Sequence, residues 1–160
     1  MIDTAASLDA SDFRILRELQ RNGRLSNAEL AQRVGLSPST CLRRTRALED
    51  AGVIAGYAAI IDGAMLGARI TAYIMVNLDQ RVETDARMFF DRVARDDRIV
   101  ECVAITGSHD IMMRVQLPDI AALADLTMDT LLKLPSVRSL TSNIVVRAIK
   151  SPGTSPVHRP

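Results

Sequence analysis

The sequence predicts an α+β fold in two parts, with three short helices first and a β-α-β-β-α-β order after them. Apolar residues recur at helical spacing over the first fifty residues, and beyond residue 69 short apolar runs alternate with amphipathic stretches. With 160 residues, 48% of them hydrophobic, the chain is long enough for one ordinary core or two small ones. We expect domains at 8–61 and 70–150, a linker at 62–69 and a flexible tail at 151–160.

The first two helices are bounded by recognisable caps. An apolar stripe predicts the first helix, with Asp9 or Ser11 as its N-cap. Ser26 and Glu29 have the spacing of a capping box at the start of the second helix. Gly35 follows the last apolar residue of that helix and fits the left-handed position beyond its C-terminus. The second helix is therefore expected to be short and sharply bounded.

A third helix is predicted to begin almost immediately. Ser37 is a suitable N-cap, Pro38 suits the first helical position, and the helical pattern continues to Gly52. Two helices joined by so tight a glycine turn make a helix-turn-helix. The segment that follows, VIAGYAAII at 53–61, is rich in strand-forming residues, and we predict that it is a wing or a connecting strand.

The C-terminal part is predicted to contain four strands and two helices. In order, they are strand 70–78, helix 83–95, strand 99–106, strand 111–117, helix 120–134 and strand 137–149. The second helix has Asp119 as its N-cap and stops before Pro135. This order predicts a ferredoxin-like sandwich, in which two helices cover one face of a single sheet.

Positive charge is concentrated near the N-terminal third, although the whole chain is almost neutral. Lys and Arg number 20 against 19 Asp and Glu, which gives a formal net charge of +1. Between Arg21 and Arg46, six arginines face Glu29 alone, a local charge of +5. Three of the six, including Arg43 and Arg44, lie within four positions of the third helix. The composition excludes a polycationic chromatin protein and indicates a focused anion-binding surface.

A helical wheel divides the third helix into a packing face and a free face. The packing face is predicted to contain Cys41, Leu42, Thr45 and Leu48. The free face is predicted to contain Thr40, Arg43, Arg44 and Ala47, flanked by Ser39 and Arg46. Such a face suits a DNA major groove, because arginine can donate two hydrogen bonds to guanine and short hydroxyls reach phosphates or base edges. The alternative is an ordinary solvated helix face, and the helix-turn-helix context favours DNA recognition over it.

The two cysteines and the absence of targeting signals suggest where the protein works. Cys41 and Cys102 are far apart, belong to no CxxC motif and fall within apolar patterns. We predict that both are small core residues in a reducing compartment. The N-terminus lacks the features of a signal peptide, and no run approaches the roughly 18 apolar residues of a membrane span. A cytoplasmic protein without membrane association is expected.

The turn GSHD, between the second and third predicted strands, has two interpretations. Asp110 could pair with the α-ammonium of a free amino acid, while backbone N–H groups near Gly107 and Ser108 hold its carboxylate. Alternatively, Gly107 supplies a positive φ to a hairpin and Asp110 caps its backbone. Ser108, His109 and Asp110 are the residue types of a hydrolytic triad, but consecutive residues in a tight turn cannot align one. We expect no catalytic residue, and no metal site because no ligand cluster has suitable spacing.

The chain resembles the leucine-responsive regulator / asparagine regulator family of bacterial and archaeal transcription factors, also called feast/famine regulators. The stretches that carry the resemblance are LDASDFRIL, NGRLSNAELAQRVGLSPSTCLRRTRALEDAGVIAGYAAIID, ITGSHDIMMRV, LLKLPSVRSLTSNIVV and the closing AIK. Together they extend from Leu8 to Lys150, nearly the whole chain. The sequence LSPSTCLRR is most similar to the leucine-responsive branch.

The resemblance implies an N-terminal winged helix-turn-helix domain and a C-terminal βαββαβ (RAM) domain that dimerises, assembles dimers into discs and binds amino acids between dimers. By position it assigns DNA binding to Ser37, Ser39, Thr40, Arg43, Arg44 and Arg46. It assigns effector binding to Gly107, Ser108, His109, Asp110 and Ser142. This chain has His109 where the family often has an aromatic residue, and Ser142 where relatives commonly have threonine.

These observations predict a sequence-specific DNA-binding transcriptional regulator, modulated by an amino acid bound at an interface of the C-terminal domain. The expected partners are double-stranded DNA, further copies of the chain in a homodimer that assembles to an octamer, and a small amino-acid ligand. No other cofactor is expected. The alternative is an architectural protein that wraps or bridges DNA without a ligand. Low overall charge argues mildly against that role, whereas a disc of dimers would permit it by multiplying weak sites.

Overall fold

The computed structural model describes residues 8–79 and 83–150. The tail at 151–160, predicted to be flexible, lies outside the described residues. The described chain divides into two compact units, one ending at Ile60 and the other extending from Ile61 to Lys150. Each unit has its own core, and each is described by itself.

Three helices form the first unit, and their caps are those that the sequence predicts. They are α1 (Ala10–Arg21), α2 (Asn27–Val34) and α3 (Pro38–Asp50). Asp9 is the N-cap of α1, where its carboxylate accepts hydrogen bonds from the backbone N–H groups of Ser11 and Asp12. The capping box between Ser26 and Glu29 at the start of α2 is also confirmed. Local hydrogen bonding thus fixes where these helices begin.

The apolar sides of the three helices meet in one small core. Its buried members are Ile15, Leu30, Ala31, Val34, Cys41 and Leu48. Leu25, Leu36, Val53 and Ile54 pack against its edge. The prediction that Cys41 is a core residue is confirmed, because its side chain is fully buried and free of a disulfide. Burial raises the pKa of the Cys41 thiol, which keeps it protonated and apolar in character.

The predicted strand at 53–61 is wrong. No strand forms in this segment, which turns away from α3 at Gly52 (φ 71°) and continues as extended chain. A strand needs a neighbour to pair its backbone, and the first unit contains no other strand among its described residues. Ile60 is 98% exposed, so this end of the apolar segment covers no core. The following 62–69 segment, expected to be a linker, contains a 3₁₀ turn, Gly63–Leu66, capped by Asp62.

The second unit has the predicted β-α-β-β-α-β order. Its elements are β1 (Ile70–Leu78), α4 (Glu83–Ala94), β2 (Ile99–Ala104), β3 (Ile111–Leu117), α5 (Ile120–Ala124), a π-helical turn (Asp125–Leu131) and β4 (Val137–Ile144). The four strands form one antiparallel sheet in the order β2-β3-β1-β4. With helices α1 to α3 in the first unit, this sheet confirms the predicted α+β class.

Three elements of the second unit are shorter or less regular than predicted. Strand β2 ends at Ala104, before the predicted limit at 106, because Ile105 N–H already closes the hairpin on Asp110 C=O. Strand β4 ends at Ile144, five residues before the predicted end, and its last pair is with Ala72, two residues short of the start of β1. The predicted helix at 120–134 turns π-helical after five residues. There Thr127 Oγ1 donates to Leu123 C=O (2.8 Å) and competes for the helical acceptor.

The core of the second unit lies between one face of the sheet and the helices. Alternate residues of β1 and β3 point into it, and they pack with Phe89 and Val93 of α4 and with Leu126 and Leu131 of the π-helical turn. Cys102 of β2 is half-buried beside this cluster, as the sequence predicts, and burial raises the pKa of its thiol. The opposite face of the sheet carries half-buried side chains, including Tyr73, which are not members of the core cluster.

Candidate DNA-binding face and effector loop

The turn between α2 and α3 is as tight as the sequence predicts. Gly35 ends α2 in the left-handed conformation (φ 68°), and its N–H donates to the carbonyl groups of the last turn. Only Leu36 separates it from Ser37, the N-cap of α3, and Pro38 fills the first helical position. The orientation of α3 against α2 is therefore set by local geometry and by the core beneath both helices.

The outward side of α3 presents two unpaired guanidinium groups. Arg43 and Arg46 are exposed, and among the described residues neither has a carboxylate partner. They border a shallow concavity lined by Ser39, Leu42, Arg43, Arg46, Ala47 and Asp50. The prediction that Leu42 packs inward is wrong, because this side chain is 39% exposed at the edge of the concavity. The outward side thus combines two guanidinium groups, one hydroxyl and a small apolar rim, with the carboxylate of Asp50 at the edge of the concavity.

Arg44 is not on this free face, and its predicted placement there is wrong. Its side chain is 26% exposed and lies against α1, where Nη2 is 2.7 Å from Asp9 Oδ2 and Nη1 is 2.9 Å from Asp12 Oδ1. The cause is its position in the helix. Arg44 follows the buried Cys41 by three residues and precedes the buried Leu48 by four, so it shares their side of α3.

The two carboxylates that hold Arg44 are themselves fixed. Asp9 accepts from the backbone N–H groups of Ser11 and Asp12, while Asp12 accepts from the backbone N–H of Asp9. The hydrogen bond from Asp12 N–H, followed by those from Ser11 and Arg44, lowers the pKa of Asp9. The hydrogen bond to Asp12, followed by that to Asp9, raises the pKa of Arg44. The sequence did not lead us to predict either aspartate as a site residue, although two aspartates three residues apart at a helix start can be seen in it.

Ser37 and Thr40 have structural roles at the start of α3. Ser37 Oγ accepts from Thr40 N–H (3.3 Å) and donates to Thr40 Oγ1 (2.8 Å). Thr40 is half-buried, whereas Ser39 is exposed beside it. Pro38 has no N–H, and Ser37 already accepts those of Thr40 and Cys41, so few backbone donors remain at this helix start for a phosphate.

The GSHD turn closes the hairpin between β2 and β3. Gly107 has φ 119°, a conformation that favours glycine. Ser108 Oγ and His109 Nδ1 are 3.0 Å apart at its exposed tip. Asp110 Oδ2 accepts the backbone N–H of Leu78 (2.8 Å), so the carboxylate caps the end of β1. The hairpin interpretation therefore accounts for one carboxylate oxygen of Asp110, and within residues 8–79 and 83–150 the other oxygen accepts no hydrogen bond.

Ser142 does not join the GSHD turn within one chain. It lies on β4 opposite Ile74, whereas Asp110 lies beyond Ile111, which pairs with Val76. Strand β1 stands between them, and strand spacing with the rise per residue puts their backbones roughly 14 Å apart. The five predicted effector residues thus form two groups in a single copy, the turn at 107–110 and Ser142.

Neither catalysis nor a metal site is indicated by the described residues. Ser108 and His109 are in contact, but the carboxylate of Asp110 is directed to Leu78 N–H, so the three side chains do not form a relay. Across residues 8–79 and 83–150 there is no group of three or more His, Cys, Asp or Glu that could hold a metal ion. No helix in these ranges is long and apolar enough to cross a membrane.

Comparison with known proteins agrees with this arrangement. Residues 8–55 match the family model for winged helix-turn-helix DNA-binding domains, and residues 71–154 match that for the Lrp/AsnC ligand-binding domain. The chain belongs to the Lrp/AsnC family. It is 37% identical over 143 residues to the leucine-responsive regulatory proteins of Klebsiella pneumoniae and Escherichia coli strain K12, covering 89% of this chain and 87% of each relative.

Solved structures extend the Lrp/AsnC comparison to three dimensions. A transcriptional regulator of Neisseria meningitidis in complex with L-Met is similar with a TM-score of 0.90 and 36% identity, covering 94% of this chain and 97% of that one. E. coli AsnC is similar with a TM-score of 0.81 and 26% identity, covering 93% and 99%. This Lrp/AsnC chain is thus a transcriptional regulator with a helix-turn-helix DNA-binding domain and an amino-acid-binding domain. The comparisons do not favour the architectural alternative.

Proposed function

We propose that this Lrp/AsnC regulator reads DNA with the outward side of α3. Arg43 and Arg46 would reach base edges or phosphates in the major groove, with Ser39 beside them. The N-terminus of α3, from Ser37 to Ser39, would bind a phosphate through backbone N–H groups and hydroxyls, with Thr40 beside it. The proposal rests on two exposed guanidinium groups that have no carboxylate partner in the described part of the chain, on a helix whose inner side packs into a core.

Arg43→Ala is expected to weaken specific DNA binding by about 1–3 kcal/mol without changing the fold, because the side chain is exposed and is not part of the core. Binding is measured on duplexes selected by the wild-type protein from a random-sequence library, with sites sought as half-sites about one helical turn, or a multiple, apart. Arg87→Ala, which removes an exposed arginine of α4, is the matched control and should bind as wild type does. If Arg43→Ala binds the selected duplexes as wild type does at physiological salt, α3 does not read the DNA groove with this side.

The proposed effector is an amino acid held by the GSHD turn. The free oxygen of Asp110 would pair with the α-ammonium, and backbone N–H groups at Gly107 and Ser108 would hold the α-carboxylate, with His109 over the side chain. Because β1 separates Ser142 from the turn within one chain, we place the two groups at the site from different copies. The Neisseria meningitidis neighbour, solved in complex with L-Met, supports an amino acid as the effector.

We also propose that the second unit assembles the protein into dimers and then an octamer. The sheet face opposite the core carries half-buried Tyr73, Met75 and Met112, and Val103 is 37% exposed there. Apolar side chains in such a row are typical of surfaces that a further copy covers. Sedimentation of the full chain at micromolar concentration should give a mass of at least two copies. A strictly monomeric chain would contradict the assembly.

The remaining proposals concern where and how the protein acts. It would work in the cytoplasm, where the DNA is, and would act by binding alone, without catalysis. The Lrp/AsnC relatives are named as regulatory proteins, which supports this view.

A further inference from the structure

Arg44 links the helix proposed to read DNA to the start of α1. Its two terminal nitrogens contact two different carboxylates, Asp9 at 2.7 Å and Asp12 at 2.9 Å. Asp12 is 8% exposed, and both carboxylates are already held by backbone N–H groups of the α1 capping box. A planar guanidinium that donates to two fixed acceptors has little freedom left. The link is therefore directional, unlike the apolar contacts of Ile15 with the rest of the core.

The direction of this link bears on the orientation of α3. The core fixes which side of α3 faces inward, but apolar packing tolerates small rotations and shifts along the helix axis. Arg44 is anchored on the flank of α3, so its two hydrogen bonds oppose both movements. The orientation of α3 also sets the direction in which Arg43 points, because adjacent helical residues project at different angles around the helix. A shift of about 1 Å at α3 would be enough to spoil base contacts made from its outward side.

A direct role for Arg44 at DNA is hard to reconcile with its surroundings. One guanidinium faces two carboxylates, so the cluster as a whole carries no excess positive charge to attract a phosphate. A phosphate could bind only by displacing carboxylates that the α1 capping box holds in place. Arg43 and Arg46 have no such competitors among the described residues.

We infer that Arg44 is a positioning residue, which orients the DNA-reading side of α3 through paired hydrogen bonds to Asp9 and Asp12 and makes no contact with DNA. This inference rests on the proposed reading of DNA by α3. The three neighbouring arginines thus differ in function. Arg43 and Arg46 read DNA, and Arg44 orients the helix that carries them.

The sharpest test uses Asp9→Asn. Asparagine is as good an N-cap as aspartate, so α1 keeps its start, while the ionic half of the link to Arg44 is lost. Removing a negative charge near DNA should by itself strengthen all DNA binding. We expect instead that the ratio of specific to non-specific affinity falls by about threefold, as suits a half-exposed ion pair. The probes are the duplex selected by the wild-type protein and a scrambled duplex of equal length.

Glu18→Gln is the matched control. It removes the same charge from the same helix, but Glu18 pairs with Arg21 and Arg33 and has no bond to α3. Its effect should be equal on the two duplexes, so that the affinity ratio stays at the wild-type value. A fall in the ratio with Asp9→Asn but not with Glu18→Gln identifies positioning rather than charge.

Arg44→Met and Arg44→Lys extend the test. Arg44→Met should lower the affinity ratio by about tenfold, the size of one lost base contact, and leave non-specific binding and its salt dependence unchanged. Arg44→Lys should fall between Arg44→Met and wild type, because one ammonium cannot reproduce the two-pronged contact. If Arg44→Met does not fold, Asp9→Asn decides alone.

Two results would overturn the inference. The first is an Arg44→Met protein that loses affinity for both duplexes equally, with a salt slope shallower by about one, the signature of a phosphate contact. The second is an Asp9→Asn protein that behaves as Glu18→Gln does. In both cases the proposed function still stands if Arg43→Ala loses specific binding. If Arg43→Ala binds as wild type does, the proposed function itself fails.

Discussion

Asp110→Asn is expected to weaken the binding of an amino-acid effector by about a hundredfold while leaving the free protein as stable as before. Asparagine keeps an oxygen that can accept the N–H of Leu78, so the end of β1 remains capped. It lacks the negative charge that would pair with the α-ammonium. The substitution therefore separates the two roles that the sequence allows for this residue.

The effector is first identified by heating the protein with each of the twenty amino acids. A ligand that binds only the folded state stabilises it by RT ln(1 + [L]/Kd), about 2.7 kcal/mol at a hundredfold excess over Kd. The best amino acid is then titrated by calorimetry into wild type and Asp110→Asn. Asp110→Ala, which also loses the contact with Leu78, should be less stable by about 1 kcal/mol. Equal Kd values for wild type and Asp110→Asn would confine Asp110 to its structural role.

Loss of the α-ammonium contact should also affect regulation. Coupling between the effector and DNA requires that the ligand bind two states of the assembly unequally. Asp110→Asn should therefore lose any ligand-driven change in oligomer size or DNA affinity, and DNA binding without ligand should be retained.

Phe89→Ala is expected to lower the free energy of unfolding of the second unit by about 3–5 kcal/mol. Phe89 is fully buried in the core between α4 and the sheet, so truncation leaves a cavity the size of a ring. Its neighbour Phe90 is 47% exposed, and their ring centroids are 5.5 Å apart in an edge-to-face contact. Phe90→Ala is therefore a control of identical chemistry, and it should cost about 1 kcal/mol or less.

Unfolding of the second unit can be followed without interference from the first. The chain has no tryptophan and two tyrosines, of which Tyr73 lies in β1 and Tyr57 in the first unit. In a Tyr57→Phe background, urea-induced changes in tyrosine fluorescence report on the sheet alone. Similar losses for Phe89→Ala and Phe90→Ala would contradict the position of α4 in the structure.

Local signals in the sequence predicted much of this fold. The caps at Asp9, Ser26 and Ser37 and the turn at Gly35 depend on residues within four positions, and all are confirmed. The bounds of β1 and β3 are also as predicted, and these central strands alternate between buried and half-buried residues, in β1 from Thr71 onward.

What the sequence did not predict depends on distant partners. Arg44 was assigned to the free side of α3, although its spacing from Cys41 and Leu48 already places it on their side. Its contacts with Asp9 and Asp12 depend on how α1 packs, which nothing within α3 reveals. The segment at 53–61 has strand-forming residues but no strand to pair with in its unit. The interruption of the helix after Ala124 depends on where one hydroxyl, that of Thr127, directs its hydrogen bond. The DNA-contacting and effector residues stay predictions, since each requires a partner molecule.

The two cores share no residue, and this separation affects how the protein can change over evolution. Six buried residues support the unit that carries α3, whereas fourteen support the sheet unit. A small core holds a small reserve of stability, so few substitutions in it are neutral. Changes in DNA preference should therefore occur at outward positions such as Ser39, Arg43 and Arg46, because substitutions there do not lower the stability of the core. The sheet unit has the larger core and therefore a larger excess of stability. Its ligand preference can change independently of the DNA-binding unit.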